Sequence, residues 1–319
     1  MRLLTFETAG QRRLGAESGE YVVDLQNAFA MSELLGYGAA AGTAAAHRLP
    51  ADMLTFLQGG EATRNAARAA LEFIASLPEA DVAPLADRSA VLYREAQIRR
   101  RAPVPRPGKV LCIGLNYADH AAESGVEPPS EPVVFTKYSN AIIGPGQPIL
   151  LPADSQEVDY ECELVVVIGR GGHDIAAEDA MGHVAGFTCG HDVSARDYQL
   201  KRGGGQWTIG KTFDTFGPTG PTLVTTEEDF DPHNAAIRTI LNGETMQDSS
   251  TSKFIFQIPQ LVAYLSHVVT LEPGDLVFTG TPPGVGFARK PPVFLQDGDE
   301  VEIQIDGIGS LKNPVKRAA

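Results

Sequence analysis

Polar and apolar residues alternate along Val301-Glu302-Ile303-Gln304-Ile305, which places Val301, Ile303 and Ile305 on one face and predicts a half-buried strand. The runs at 110–117 (VLCIGLNY), 132–138 (PVVFTKY), 163–169 (ELVVVIG) and 184–192 (VAGFTCGHD) are short, apolar and rich in β-branched residues, the texture of further strands. Asn242-Gly243, Pro273-Gly274-Asp275 and Asp306-Gly307 are turn signals between extended runs. Near 258–269 the period changes. Ile258, Leu261, Val262 and Leu265 follow helical spacing, and Pro259 suits a first turn.

The first hundred residues have a different character. Residues 1–25 read as a short meander, LLTFE and EYVVDL about a polar turn, and 28–77 are Ala-rich and helical in pattern, broken at Gly59-Gly60. Between 78 and 108, Pro78, Pro84, Pro103, Pro105 and Pro107 interrupt regular structure, and the run Arg99-Arg100-Arg101 reads as a solvated linker. The predicted architecture is α+β, mainly β. A small α+β cap would span 1–100, and a β-rich domain with few helices would span 101–319.

A net charge of −14 argues against nucleic acid or an anionic membrane as the main partner. No segment has the length of a membrane span, and the first residues lack a signal-peptide apolar region, so a cytoplasmic protein is expected. Cys112, Cys162 and Cys189 are widely spaced in apolar surroundings and read as core residues of a reducing compartment.

The chemistry concentrates at Asp159-Tyr160-Glu161-Cys162-Glu163, just before an apolar strand. Alternation turns Glu161 and Glu163 to one side and Cys162 to the other. The pair alone fits two readings: a half-exposed strand edge, or a site for a hard divalent cation that relieves carboxylate repulsion. Asp192, at the end of the 184–192 run, is the candidate third ligand. His191 beside it is a rival, but on an extended strand it faces away from Asp192. His120 and Glu123, three apart, suit an imidazole oriented by a carboxylate, or equally a surface pair. Lys137, Arg196 and Lys211 lie among strand and turn elements, and Gln199 shares a helical face with Arg196. Lys211 suits oxyanion stabilisation, and Arg196 two-point pairing with a carboxylate. The Gly-rich turn 280–286 could hold a substrate carboxylate through its amides and Thr281. Residues 205–212 match the spacing of a phosphate-binding loop. No buried strand precedes them, and Gly and Pro follow where a helix should run, so nucleotide binding is rejected.

The motifs NYADHAAE, DYECELVVVIG, GHDVSARDYQ, GKTFDTFGPTGP and LVFTGTPPGVG, in this order over about 108–315, resemble the fumarylacetoacetate hydrolase superfamily. The likeness extends to its branch of domain-containing protein 2 and acylpyruvate hydrolases. The resemblance implies a mixed β-roll, a Mg²⁺ or Mn²⁺ ion (Ca²⁺ as a further possibility), and a homodimer. It implies Glu161, Glu163 and Asp192 as metal ligands, and His120 with Glu123 as a base dyad. Lys211 would stand near the metal, with Arg196, Gln199, Thr281 and Lys137 on the substrate side. Two features depart from it: His191 stands where relatives often differ, and the segment 137–142 lacks a Lys-Pro pair. The activity expected first is hydrolysis of a C–C bond in a small anionic oxo acid of the 2,4-diketo class. Oxaloacetate decarboxylation, isomerisation of a 2-hydroxydienoate, or a non-catalytic metal-binding role are the alternatives.

Overall fold

The computed structural model describes residues 1–35, 49–119 and 127–318. Its strands in chain order are β1 (Arg2–Thr8), β2 (Gln11–Ser18), β3 (Tyr21–Asp24), β4 (Leu92–Arg94), β5 (Arg99–Arg101), β6 (Val110–Gly114), β7 (Val133–Lys137), β8 (Ile142–Ile143), β9 (Ile149–Leu151) and β10 (Val158–Asp159). There follow β11 (Cys162–Ile168), β12 (Val184–His191), β13 (Ser194–Ala195), β14 (Gly217–Thr225), β15 (Ala236–Leu241), β16 (Glu244–Ser250), β17 (Leu276–Phe278), β18 (Glu300–Ile305) and β19 (Gly309–Arg317). The helices are α1 (Leu25–Leu34), α2 (Met53–Gln58), α3 (Gly60–Ala75), α4 (Glu79–Arg88), the single turn α5 (Thr208–Lys211) and α6 (Ile258–Val268).

The long sheet runs β4-β3-β2-β1-β14-β12-β11-β17-β6-β7, and a second sheet runs β16-β15-β18-β19-β9. The protein is therefore α+β and mainly β, with no closed barrel among the described residues. Period-2 patterning is strict where both faces are buried. Along β11, Cys162, Leu164, Val166 and Ile168 enter the core shared with the second sheet and α6. Val165 and Val167 enter the core under α1–α3. β18 alternates as expected, and Asn242-Gly243 takes positive φ at both positions to close the β15–β16 hairpin. The helix expected near 258–269 is α6; Pro259 lies in its first turn, and Gln257 and Gln260 form a reciprocal cap. No helix among the described residues is long and apolar enough to cross a membrane.

Three features differ from the sequence reading. The N-terminal segment joins the long sheet: β1 pairs antiparallel with β14, so the first strands and the β-rich part share one sheet. The arginine run is no linker. It is β5, paired with β1, where Arg100 meets Glu17 and Glu95, and Arg101 meets Glu7. Opposite charges on Glu7 and Glu17 of the N-terminal hairpin, and on nearby Glu95, let this basic run pair as a strand. Pro84 lies inside α4 rather than ending it.

Candidate active site

Adjacent antiparallel strands bring the carboxylates together. Glu161 and Glu163 stand at the start of β11, and Asp192 directly follows β12, its neighbour; Cys162 pairs in register with His191. One ligand atom from each carboxylate lies within 4.8 Å of the others, and all three residues are buried. Glu163 is anchored by the Gly280 N–H, which donates to its Oε2 at 2.7 Å. Gly280 sits at φ +100°, and a Cβ there would lie 2.8 Å from the Asn116 Cβ, so backbone conformation and space both require glycine.

Cations surround this trio. Lys211 Nζ donates to Glu161 Oε2 and Asp192 Oδ2, each at 2.8 Å. Arg196 donates through Nη2 to Glu161 Oε1 at 2.6 Å and through Nε to Asp159 Oδ2 at 2.8 Å. Its Nη1 donates to Gln199 Oε1 at 2.8 Å, and its guanidinium lies 4.5 Å from the Phe287 ring centre. Burial works against the charge on Lys211 and on Arg196, but the adjoining carboxylates outweigh it and raise both pKa values. Glu163 moves the other way. Burial, and then repulsion from Asp192 and Glu161, push its carboxyl well above the usual carboxylate range.

These residues fit a divalent cation. The donors are hard carboxylate oxygens drawn from two strands, and Glu163 Oε1 is buried without a hydrogen-bond partner among the described residues. A buried oxygen of this kind is costly unless something positive meets it.

Glu161, Glu163, Arg196, Gln199, Lys211 and Thr281 line one pocket of about 250 Å³, whose remaining wall is largely apolar and includes Ile113, Phe135, Trp207 and Phe287. Lys137, expected on the substrate side, is placed elsewhere. It is fully buried behind Asp192, with Nζ 2.6 Å from Asp192 Oδ1 as an ion pair off the line of a hydrogen bond. It also donates to the Val193 carbonyl at 3.0 Å and to the Lys211 carbonyl. His191 shares the Cys162 face, opposite the carboxylates, and burial pushes its pKa down to about 3. His120 and Glu123 lie outside the described residues. The rejected phosphate-loop match is a short turn followed by α5, whose Lys211 is committed to carboxylates. Cys112, Cys162 and Cys189 are buried free thiols with raised pKa values.

Two contributors escaped the sequence reading. Asp159 accepts from Tyr160, Gly286 and Phe287 N–H groups and from Arg196, so it aims the guanidinium at Glu161. Its signal was available, since Asp159 has the same strand parity as Glu161 and Glu163. Gln247, on β16, donates to Thr281 and accepts from the Cys162 N–H; nothing local marks it.

A buried carboxylate trio that could hold a metal ion, two of its members lining a small pocket in a mixed β fold, is the architecture of an enzyme site. The chain belongs to the fumarylacetoacetate hydrolase family: residues 109–316 match the model described as fumarylacetoacetate (FAA) hydrolase C-terminal. It is similar to "Oxaloacetate tautomerase FAHD2A, mitochondrial" of Bos taurus, 48% identical over 320 residues, covering 99% of this chain and 91% of the relative. The protein of the same name from Homo sapiens is 50% identical over 267 residues, covering 84% and 80%. Among solved structures, 5-carboxymethyl-2-hydroxymuconate delta-isomerase from Mycobacterium smegmatis superposes with a TM-score of 0.71 at 34% identity, covering 100% of each chain. The expectation of a cytoplasmic protein is corrected by these comparisons, because both mammalian relatives are named mitochondrial.

Proposed function

We propose that this protein is a divalent-cation-dependent enzyme that moves a proton within a small 2-oxo acid of the oxaloacetate class, interconverting its enol and keto forms. The observation that carries this reading is the 48% identity over 320 residues to a relative named for that reaction. The solved neighbour is likewise named for an isomerisation, a class of reaction that leaves the carbon–carbon skeleton intact. The C–C hydrolysis expected first would use the same pocket, but the names of these relatives favour isomerisation.

A cation held by Glu161, Glu163 and Asp192, with Mg²⁺ or Mn²⁺ the proposed occupants, supplies Lewis acidity that draws electron density from a 2-oxo group. Lys211 adds a fixed ammonium on the pocket wall, where negative charge grows as the enolate forms. Arg196 is locked by two carboxylates and Gln199, so it presents charge without reorganising. Gln199 spends its carbonyl oxygen on Arg196, and its amide N–H groups remain to meet substrate oxygen. The apolar wall excludes water, which strengthens every charge interaction inside the pocket. His120, oriented by Glu123, is the proposed group that takes and returns the proton at C3.

Following the ultraviolet absorbance of enol-oxaloacetate tests this reading. Loss of the enol band should accelerate in a Mg²⁺-dependent way, with neither pyruvate nor CO₂ released in step. Stoichiometric pyruvate and carboxylic acid from an acylpyruvate at higher kcat/KM would restore the hydrolase reading. Stoichiometric CO₂ from oxaloacetate would make the enzyme a decarboxylase.

A further inference from the structure

Gln247 is buried at 1% exposure on β16, in the second sheet, yet three of the four hydrogen bonds of its amide reach segments of the active site. Its Oε1 accepts from the Cys162 N–H at 2.9 Å and from Thr239 Oγ1 at 2.7 Å. Its Nε2 donates to Thr281 Oγ1 at 2.9 Å and to the Pro282 carbonyl at 2.8 Å. Two of these partners have only one possible role: a backbone N–H can only donate and a carbonyl can only accept. They fix which end of the amide is oxygen and which is nitrogen. The Thr281 hydroxyl must therefore accept from Gln247, which leaves its own proton to point elsewhere. Thr281 lines the pocket with Glu161, Glu163 and Lys211. Cys162, the other anchor, sits between the two glutamates.

We propose that Gln247 is a positioning residue that fixes the Thr281 hydroxyl as a hydrogen-bond donor to the carboxylate of a bound 2-oxo acid, while pinning the strand that carries Glu161 and Glu163. The proposal rests on the pocket reading given under Proposed function. One amide thus sets both the direction of a donor and its distance from the carboxylate trio.

The variant that tests it is Gln247→Glu. A carboxylate still accepts from Cys162 and Thr239 but has no N–H, so the Thr281 hydroxyl turns to donate into it and away from the pocket. The probe is oxalate, a non-reacting dicarboxylate that resembles the enolate of a 2-oxo acid, titrated calorimetrically into protein saturated with Mg²⁺. Gln247→Glu and Thr281→Val should each weaken oxalate roughly tenfold, the scale of one hydrogen bond to a charged group. The double variant should be no weaker than either single one, because both remove the same donor. Mn²⁺ affinity should not fall in Gln247→Glu. If the buried carboxylate prevents folding, Gln247→Met removes the same N–H donors at similar length, and the same lack of additivity is expected. Additive losses, or in Gln247→Glu a loss of Mn²⁺ affinity that matches the oxalate loss, would overturn the positioning role. Unchanged oxalate binding in Thr281→Val would overturn the pocket reading itself. Weakening in Thr281→Val alone would overturn only the role of Gln247.

Discussion

Asp192→Asn should destabilise the metal-free protein by about 3–5 kcal/mol, the usual cost of orphaning one member of a buried ion pair. Lys137 makes the loss large. Its side chain is fully buried, its Nζ is 2.6 Å from Asp192 Oδ1, and its two hydrogen bonds go to backbone carbonyls. At an effective dielectric constant of 20, unit charges at that distance attract by about 6 kcal/mol. Burial offsets much of this by stripping water from the ammonium, and it pulls the Lys137 pKa below the ordinary lysine range. Asparagine keeps the shape and the desolvation but removes the attraction. Lys211 suffers less, because Glu161 still meets it at 2.8 Å. Urea unfolding of the metal-free protein at pH 7 measures the effect, and melting should fall by roughly 6–15 °C for a chain of this size. The double variant Lys137→Met/Asp192→Asn should regain part of that loss, since no charge is then orphaned. A single variant within about 1 kcal/mol of the parent, or a double variant showing the sum of both losses, would refute the reasoning.

Other consequences are equally open to measurement. Glu161→Gln and Glu163→Gln should each lower Mg²⁺ affinity at least about 100-fold, the upper end of what loss of even a supporting contact costs at metal sites; calorimetry showing less than tenfold would remove that residue from the ligand set. Gly286→Ala would place a Cβ 1.9 Å from the Val293 carbonyl and 2.5 Å from Asp159 Oδ1, so it should cost about 1–3 kcal/mol by overpacking and raise KM by displacing the support of Arg196. Thermal melts and kinetics of that variant would show both effects or neither. Burial lowers the His233 pKa, and its Nε2 accepts from the Ile258 N–H at the start of α6. The folded state therefore binds fewer protons than the unfolded one, and this contribution is full above the ordinary histidine pKa of about 6.5 and falls away as the pH drops below it. His233→Gln should flatten that part of the stability profile between pH 7 and 5.

Local periodicity made much of the molecule legible. Alternation in 301–305, the apolar β-branched run in 163–168, helical spacing in 258–268 and the Asn242-Gly243 turn depend on neighbours a few residues apart, so the chain itself carries them. The same parity aligned Glu161 with Glu163, and the end of the neighbouring strand marked Asp192. What the chain could not announce depends on partners far away in sequence. Lys137 reads as a pocket residue until Val193, 56 positions on, and Asp192 close around it. The arginine run is a strand because it pairs with β1, with Glu7 and Glu17, more than 80 positions back, meeting its charges. Gln247 gains a role only because packing of the two sheets lays it against Cys162, 85 positions away. Which side chains sit on one face is a property of a strand's two-residue repeat and is written in the sequence; which faces meet is decided by tertiary packing, because burial and charge pairing act between segments that no local pattern connects.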